Sequence, residues 1–447
     1  MVEYPIFDVP FLGGGLVLAI VAIVHVVIAH FSVGAGFFVA LCERRAIRAG
    51  DADTLAFLRK YALLILLVPY VAGTVTGAGI WFTAALAAPR AISLLIHQFV
   101  WDWAAEWVLF LIEVITIYLY FFTWGRIRPT AHNAIGWVFA GASLLTLFVI
   151  NAILSFMLTP GAWAPHAPLA VWKGIFNPSY FPTALIRALV AFALAGAGAV
   201  ALAALVRDLA PRARDRVVRL GYTMMVPAIL AVPLAAWTFA VLPERAQTFL
   251  EGGAPVMVLF LGFGVASFAT MTLAAAVSLG RKDYRPSAFG ATAIVLLALV
   301  GMGSLEFVRE GVRKPYLIEG FMYSTGVTTE KAAAIDPSAN LARTRRDGIL
   351  AAAPWALPPG KDPRGLQLRS EERGRAVYRA ACLRCHCLEG YNALRPLVAG
   401  WSRDTIRHLL DHMQEVKPSM PPFPGTDAEK KDLVEFLLAV PKKRRGL

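Results

Sequence analysis

Residues 12–41 read LGGGLVLAIVAIVHVVIAHFSVGAGFFVAL, and CERRAIR follows at 42–48. A run this long without a formal charge exceeds the roughly 20 residues that cross a bilayer. Arginines close it at once, as they do at the cytoplasmic end of a membrane span. Two histidines, His25 and His30, lie inside it.

The pattern repeats along the chain. Further apolar runs lie near 58–86, 98–124, 134–158, 181–206, 220–242, 255–279 and 288–309. Hydrophobic residues make up 57% of the 447 residues and charged ones 16%, where a soluble domain carries about 25% charged residues. The expected fold is therefore all-α: a polytopic transmembrane bundle of about eight helices. Pro227 and Pro233 are expected to kink the sixth span, with neighbouring helices satisfying the freed backbone groups. The net charge of +13 sits in short clusters between the runs. That distribution writes membrane topology and argues against a nucleic-acid partner.

The odd-numbered loops hold the arginines: Arg44, Arg45, Arg48, Arg59 and Lys60 in the first, Arg126 and Arg128 in the third, Arg207, Arg212, Arg214, Arg216 and Arg219 in the fifth, and Arg281, Lys282 and Arg285 in the seventh. The even loops hold Arg90, Lys173 and Arg245. The positive-inside rule then places the odd loops in the cytoplasm and both termini in the periplasm of a bacterial inner membrane. MVEYPIFDVPFLGGG lacks a basic n-region, so the first apolar run is expected to stay as an anchor.

The composition changes beyond the last span. Three parts are expected: a transmembrane domain over 1–325, a periplasmic connector over 326–365 and a small α-helical domain over 366–447, ending in a solvated basic tail, KKRRGL. That domain contains CLRCHC at 382–387. Cys-x-x-Cys-His is the signature of covalent haem c attachment. Cys382 and Cys385 would form the thioethers and His386 the proximal iron ligand, all within reach of one porphyrin. EERGRAVYRAA at 371–381 reads as an amphipathic helix leading into the site. Met420, on a proline-braced loop ahead of a final helix, is the expected distal ligand, ahead of His408, His412 and Met413. The layout is similar to a monohaem class I cytochrome c. A zinc site built on Cys382, Cys385, His386 and Cys387 fits poorly, because tetrahedral zinc takes separated ligand pairs. Cys387 then reads as a bystander, and Cys42 as an inert buried thiol.

Polar groups in the bilayer core are costly and mark function by default. His25, His30, Glu106, Glu113, Glu310 and Arg313 qualify, and Met257 opens the seventh span. The competing reading of either histidine is a hydrogen-bonded packing residue. Glu106 and Glu113, seven apart, share a helix face with a drift of about 20°.

These residues carry a resemblance. His25 followed by Gly34 and Glu43, GTVTG at 73–77, EWVLFLIEVITIYLYFFTW at 106–124, SFMLTP at 155–160, NPSYFPTALIRALVAFALAG at 177–196 and EGVRKPY at 310–316 are similar to subunit I of the cytochrome bd-type quinol oxidases. The resemblance implies a high-spin haem site at His25 and Glu310, with Glu113 and Glu106 in proton delivery; Glu106 stands one residue closer than the family spacing. Arg313 lies in the variant of the Glu-x-Gly-Arg-Gln-Pro-Trp signature. Met257 matches the methionine ligand of the family's low-spin haem b, but its histidine position is Ile186 here, followed by Arg187. The quinol loop is cut to LPERAQTFLEGGAP, and the ninth helix is replaced by the haem c domain.

The implied cofactors are one covalent haem c and one or two non-covalent haem b, with haem d left open by the ligands. The implied partners are membrane lipid, a periplasmic redox protein or other respiratory-complex subunits, and a subunit II-like chain. Three functions are compatible with the residues. In the first, electrons enter by haem c instead of quinol and reach buried haem, where oxygen is reduced. In the second, the chain is a non-catalytic relay in a larger complex. In the third, it anchors one cytochrome c domain and holds no membrane haem.

Overall fold

The apolar runs form helices because nothing within them offers the backbone another partner, and each ends where polar or helix-breaking residues return. The computed structural model describes residues 5–164, 167–281, 286–333, 337–360, 362 and 367–441. Lys282, Arg285, most of 361–366 and the KKRRGL tail lie outside the described residues.

Eight helices are long and apolar enough to cross a membrane. They are α1 (Gly13–Ala49), α2 (Ala52–Ala87), α3 (Val100–Phe122), α4 (Pro129–Leu158), α5 (Tyr180–Leu205), α6 (Pro211–Val241), α7 (Pro255–Gly280) and α8 (Ala288–Val312). Gly50 stops α1 in the left-handed region, at φ 60°, as a C-terminal glycine does. Asp51 then caps α2 through Thr54 N–H. Of the two prolines expected to perturb the sixth span, Pro227 lies in a 3₁₀ turn over Val226–Leu230 that interrupts α6, while Pro233 lies within the helix that resumes over Ala231–Val241.

Helices approach closely where side chains are small, as membrane packing favours. A Cβ at Gly34 of α1 would overlap the Ala191 carbonyl of α5, and one at Gly196 of α5 would overlap that of Gly221 in α6. The central core joins α1, α2, α4, α5 and α6 through Phe38, Phe57, Tyr61, Phe139, Val200 and Tyr222. A small antiparallel hairpin, β1 (Tyr316–Ile318) with β2 (Met322–Tyr323), follows α8.

The C-terminal domain is built on α9 (Ser370–Ala381), α10 (Arg403–Asp411) and α11 (Asp427–Ala439). Thr426 and Glu429 form a capping box at the start of α11, and α9 crosses α11 so closely that a Cβ at Gly374 would overlap the Asp432 carbonyl. Residues read from sequence as a connector belong to this domain's core: Val327, Ile349, Leu350, Ala353, Ala356 and Leu357 pack with Val377, Leu383, Leu433 and Phe436. Glu429 ties them in by accepting from the Ile349 and Leu350 amides at 2.9 and 3.0 Å. Ile6, ahead of α1, is buried in the same core.

The domain therefore sits on one end of the bundle, held by the chain's own N-terminal segment. Phe11 bridges Gly390, and Tyr391 N–H donates to the Phe11 carbonyl at 2.7 Å. The Arg90 guanidinium, before α3, donates to the Ala352 carbonyl at 3.1 Å. Gly390 has φ +89°, and a Cβ there would overlap the Phe11 backbone. Gly390→Val should therefore release the domain from the bundle without unfolding either. Hydrogen exchange should rise over 5–12 and 387–395 while haem c attachment persists; unchanged exchange there would mean that the contact does not hold the domain.

Candidate functional site

Two clusters of candidate residues lie in this frame, one at the CLRCHC loop and one within the membrane helices. In the first, α9 ends at Ala381 and the chain turns through Cys382–His386. Cys382 and Cys385 are free thiols. The His386 ring Nδ1 donates to the Asn392 carbonyl at 3.0 Å, and the Asn392 side chain in turn donates to the Cys385 carbonyl at 2.7 Å. The carbonyl can only accept, so Nδ1 carries the proton and Nε2 presents a lone pair. Burial holds His386 below the usual imidazole range, which keeps that lone pair free at neutral pH. A ligating histidine is oriented by its other nitrogen in this way. Met420 sits in a turn closed by its own N–H to the Lys417 carbonyl at 2.8 Å and flanked by Pro418 and Pro421. Of the weaker distal candidates, His412 is engaged by Glu415 at 3.0 Å and lies beside His408, ring centroids 4.6 Å apart and tilted by 40°. Thiols, an oriented imidazole and a thioether are the donor set of a haem c, and these residues fit that group.

Cys387 is buried against the membrane domain, its Sγ about 3.0 Å from where a Cβ of Gly13 would stand. The Arg384 carbonyl meets Gly15 in the same way, at 3.3 Å. The attachment loop thus rests on the first turn of the helix that carries His25.

In the second cluster, one irregular turn organises two candidates. Pro69 lacks an N–H and cannot continue an α-helix unperturbed, and α2 widens into a π-turn over Val68–Ala72. Such turns recur at functional sites. The Tyr70 hydroxyl, within the turn, donates to Glu113 at 2.7 Å and accepts from Ser32 at 3.1 Å. Thr146 donates to the other Glu113 oxygen. Immediately after the turn, the Gly73 carbonyl accepts from His25 Nδ1 at 3.1 Å, and Thr76 Oγ1 lies at the same distance. A Cβ at Gly77 would stand 3.0 Å from the His25 ring. GTVTG is thus the cradle of His25: carbonyl, hydroxyl and a gap, with Nε2 left free. These residues fit an iron-ligating imidazole.

Glu310 pairs with Arg313 and, at 3.6 Å, with Lys314. The Met257 side chain packs against Gly311, next to Glu310. Ile186, in the position that the resemblance gives to a low-spin histidine, packs against the apolar core. Glu106 lies on the same helix as Glu113 and makes no hydrogen bond among the described residues.

Two charged clusters escaped the sequence reading. Glu43, 2% exposed, accepts from His132, from Tyr120 at 3.1 Å and from Asn133 at 3.0 Å. Arg187 reaches Glu306 at 3.1 Å and donates to His30 Nε2 at 3.5 Å, while Arg309 Nε donates to the second Glu306 oxygen at 2.7 Å. His30 is thus an acceptor for arginine. Charges inside apolar runs were the available signal, and Arg187, Glu306 and Arg309 all carried it.

The family described as cytochrome bd terminal oxidase subunit I matches residues 16–247, and the family described as cytochrome c oxidase, cbb3-type, subunit III matches residues 369–437. No curated protein sequence matches significantly. Among solved structures, the bd oxidase from Geobacillus thermodenitrificans aligns with a TM-score of 0.61 at 16% identity, covering 74% of this chain and 94% of that one. At this identity the likeness concerns the fold.

Tyr70→Phe removes one donor to Glu113 with little change in packing. It should raise the infrared C=O stretch of the Glu113 carboxylic acid and cost about 0.5–1.5 kcal/mol of stability, the range for a hydrogen bond between neutral groups. An unshifted carboxyl band would show that Tyr70 does not set the Glu113 environment.

Proposed function

The chain belongs to the cytochrome bd terminal oxidase subunit I family, and on that premise we propose that it is a respiratory cytochrome whose electrons enter at a periplasmic haem c instead of from quinol. Its coarser character, a membrane electron-transfer protein with haem, follows from the family and from the cytochrome c domain. The observation that carries the finer reading is the seat of the CLRCHC loop on Gly13 and Gly15. His25 lies ten residues further along that helix, about 15 Å at 1.5 Å per residue. A haem c on the CLRCHC loop and a haem on His25 would then stand one helix segment apart, with no mobile carrier needed.

Cys382, Cys385, His386 and Met420 would hold the haem c. His25 and Glu310 would hold the membrane haem. A haem held there supplies electron transfer and, where an iron position stays open, a place for oxygen to be reduced. The protein's own part is positioning and proton supply. Gly73 and Thr76 fix the His25 tautomer so that Nε2 faces outward from its cradle. Glu113 holds a proton or gives it up at Oε2, opposite Tyr70, with Ser32 behind it as a further hydroxyl. Glu106, on the same helix and nearer the capped end, would take that proton onward, and Arg313 would hold Glu310 in place. The Glu43–His132 pair stands on the arginine-rich side of Glu113 and joins the same helix through Tyr120.

The loss of a low-spin histidine supports entry by haem c, since Ile186 cannot ligate iron. The shortened loop between α6 and α7 leaves little to bind quinol. The arginine-rich end of the bundle, with Arg44, Arg45, Arg126, Arg128 and Arg214, marks the cytoplasmic side. The capped end is then periplasmic, where haem c is attached.

Haem analysis by the pyridine haemochrome method tests this reading. The wild type should hold one covalent haem and at least one extractable haem per chain. His25→Ala should lose extractable haem and keep the covalent one; His386→Ala should lose haem c redox activity and remain inserted in the membrane. Reduced material should bind carbon monoxide and take up oxygen from a reduced periplasmic cytochrome. Covalent haem alone would leave an anchor, and extractable haem that refuses carbon monoxide would leave a relay.

A further inference from the structure

The seam between α5 and α8 holds more positive charge than it neutralises. Arg187, Arg309, Arg313 and Lys314 share two carboxylates, Glu306 and Glu310. The nearby Arg245–Glu319 pair balances itself. His30 adds an acceptor and no anion. Two positive charges are therefore left over at this seam among the described residues.

The donors tell the same story atom by atom. Both Glu306 oxygens are already taken, one by Arg187 and one by Arg309 Nε. Among the described residues nothing accepts from the terminal nitrogens of Arg309, whose side chain is 26% exposed. The Arg313 Nε is buried and without a partner among the described residues, although its other nitrogens reach Glu310 and the Leu317 carbonyl. A guanidinium at membrane depth is strongly disfavoured unless an anion meets it, and a buried donor without an acceptor adds to that penalty. A planar carboxylate is the ligand that an arginine fork recognises best.

We propose that Arg309 and Arg187, with Arg313, form a carboxylate-binding site that takes the two propionates of the membrane haem. The inference rests on the reading that a haem is held by His25 and Glu310. Charge and place both fit. A haem b carries two propionates, matching the surplus of two. Arg309 precedes Glu310 in the chain, and Arg187 follows the Ile186 that fills the lost ligand position. Glu306 then holds the two arginines in place.

Arg309→Gln, Arg309→Lys and Glu306→Gln, purified as the full chain, test the proposal, with covalent haem c as the internal measure of folded, inserted protein. Arg309→Gln should lower extractable haem per haem c several-fold, or lower the midpoint potential of what remains, because a cation beside a haem favours the added electron. Arg309→Lys should restore most of the haem. Glu306→Gln should raise the potential, since it removes an anion and leaves both cations. Resonance Raman spectra should show the propionate bending band shifted in Arg309→Gln. Extractable haem with unchanged content, potential and propionate band in Arg309→Gln would overturn the site alone. Equal haem loss in Arg309→Lys would reduce Arg309 to a packing role and also overturn it. A phospholipid lost from Arg309→Gln in native mass spectra, with the haem untouched, would assign the arginines to a lipid phosphate instead. A wild type with no extractable haem would remove the reading on which the site rests.

Discussion

The contact between the CLRCHC loop and the first turn of α1 governs how the two halves of this protein relate. Gly13 and Gly15 present no side chains, so the loop meets the helix backbone directly, through Cys387 Sγ and the Arg384 carbonyl. The contact is not an isolated touch between two folded units. Ile6 is buried in the C-terminal core, and the Phe11 carbonyl accepts from Tyr391. Chain on both sides of the attachment site is therefore tied down. Rigid docking has a functional sense, since a fixed separation between redox centres needs no search step.

Inside the bundle the organising constraint is the cost of polar groups in a low dielectric. Several buried polar side chains answer it by pairing across helices. Glu113 of α3 joins Tyr70 of α2 and Thr146 of α4; Glu43 of α1 joins Tyr120 of α3 and His132 of α4; Arg187 of α5 joins Glu306 of α8. Each interaction fixes the register of two helices whose apolar faces could slide. The π-turn at Val68–Ala72 shows the economy of the scheme. One proline-induced widening supplies both the hydroxyl for Glu113 and, at its end, the carbonyl for His25.

Much of this was legible in the sequence, because membrane insertion and haem c attachment both depend on residues close together in the chain. Eight spans follow from run length alone, and the bundle matches them in number, with α2 starting several residues earlier because Asp51 caps it and α6 starting at Pro211. Arg59, Lys60, Arg212, Arg214, Arg216 and Arg219 consequently lie in helices. The haem c ligands are legible because three of them fall within five residues. The connector's place in the C-terminal core was not, since Val327 and Leu350 meet Leu433 only through tertiary packing. The Glu43–His132 pairing was equally hidden: its members stand 89 residues apart, and only Glu43 is singled out in sequence, for its place after His25. Glu306 and Arg309 were visible as charges but sat near a span end, where snorkelling is the ordinary explanation.

The Arg187–Glu306–Arg309 cluster bears on how a membrane protein can lose a cofactor site. Deleting a histidine ligand from a packed bundle leaves a cavity, and filling it with apolar side chains alone would be the cheapest repair. In this chain Ile186 packs against the apolar core, and its neighbour Arg187 reaches across to Glu306 of α8. A bare ion pair would restore neutrality with one arginine. A second arginine on the same carboxylate does not, and it makes the seam electropositive beside the residues that would hold the remaining haem. In an interior where charge is weakly screened, that field acts over the several ångströms separating α8 from α1. An arrangement kept merely for packing has no need of the second charge, whereas one that must hold an anion and favour an arriving electron does.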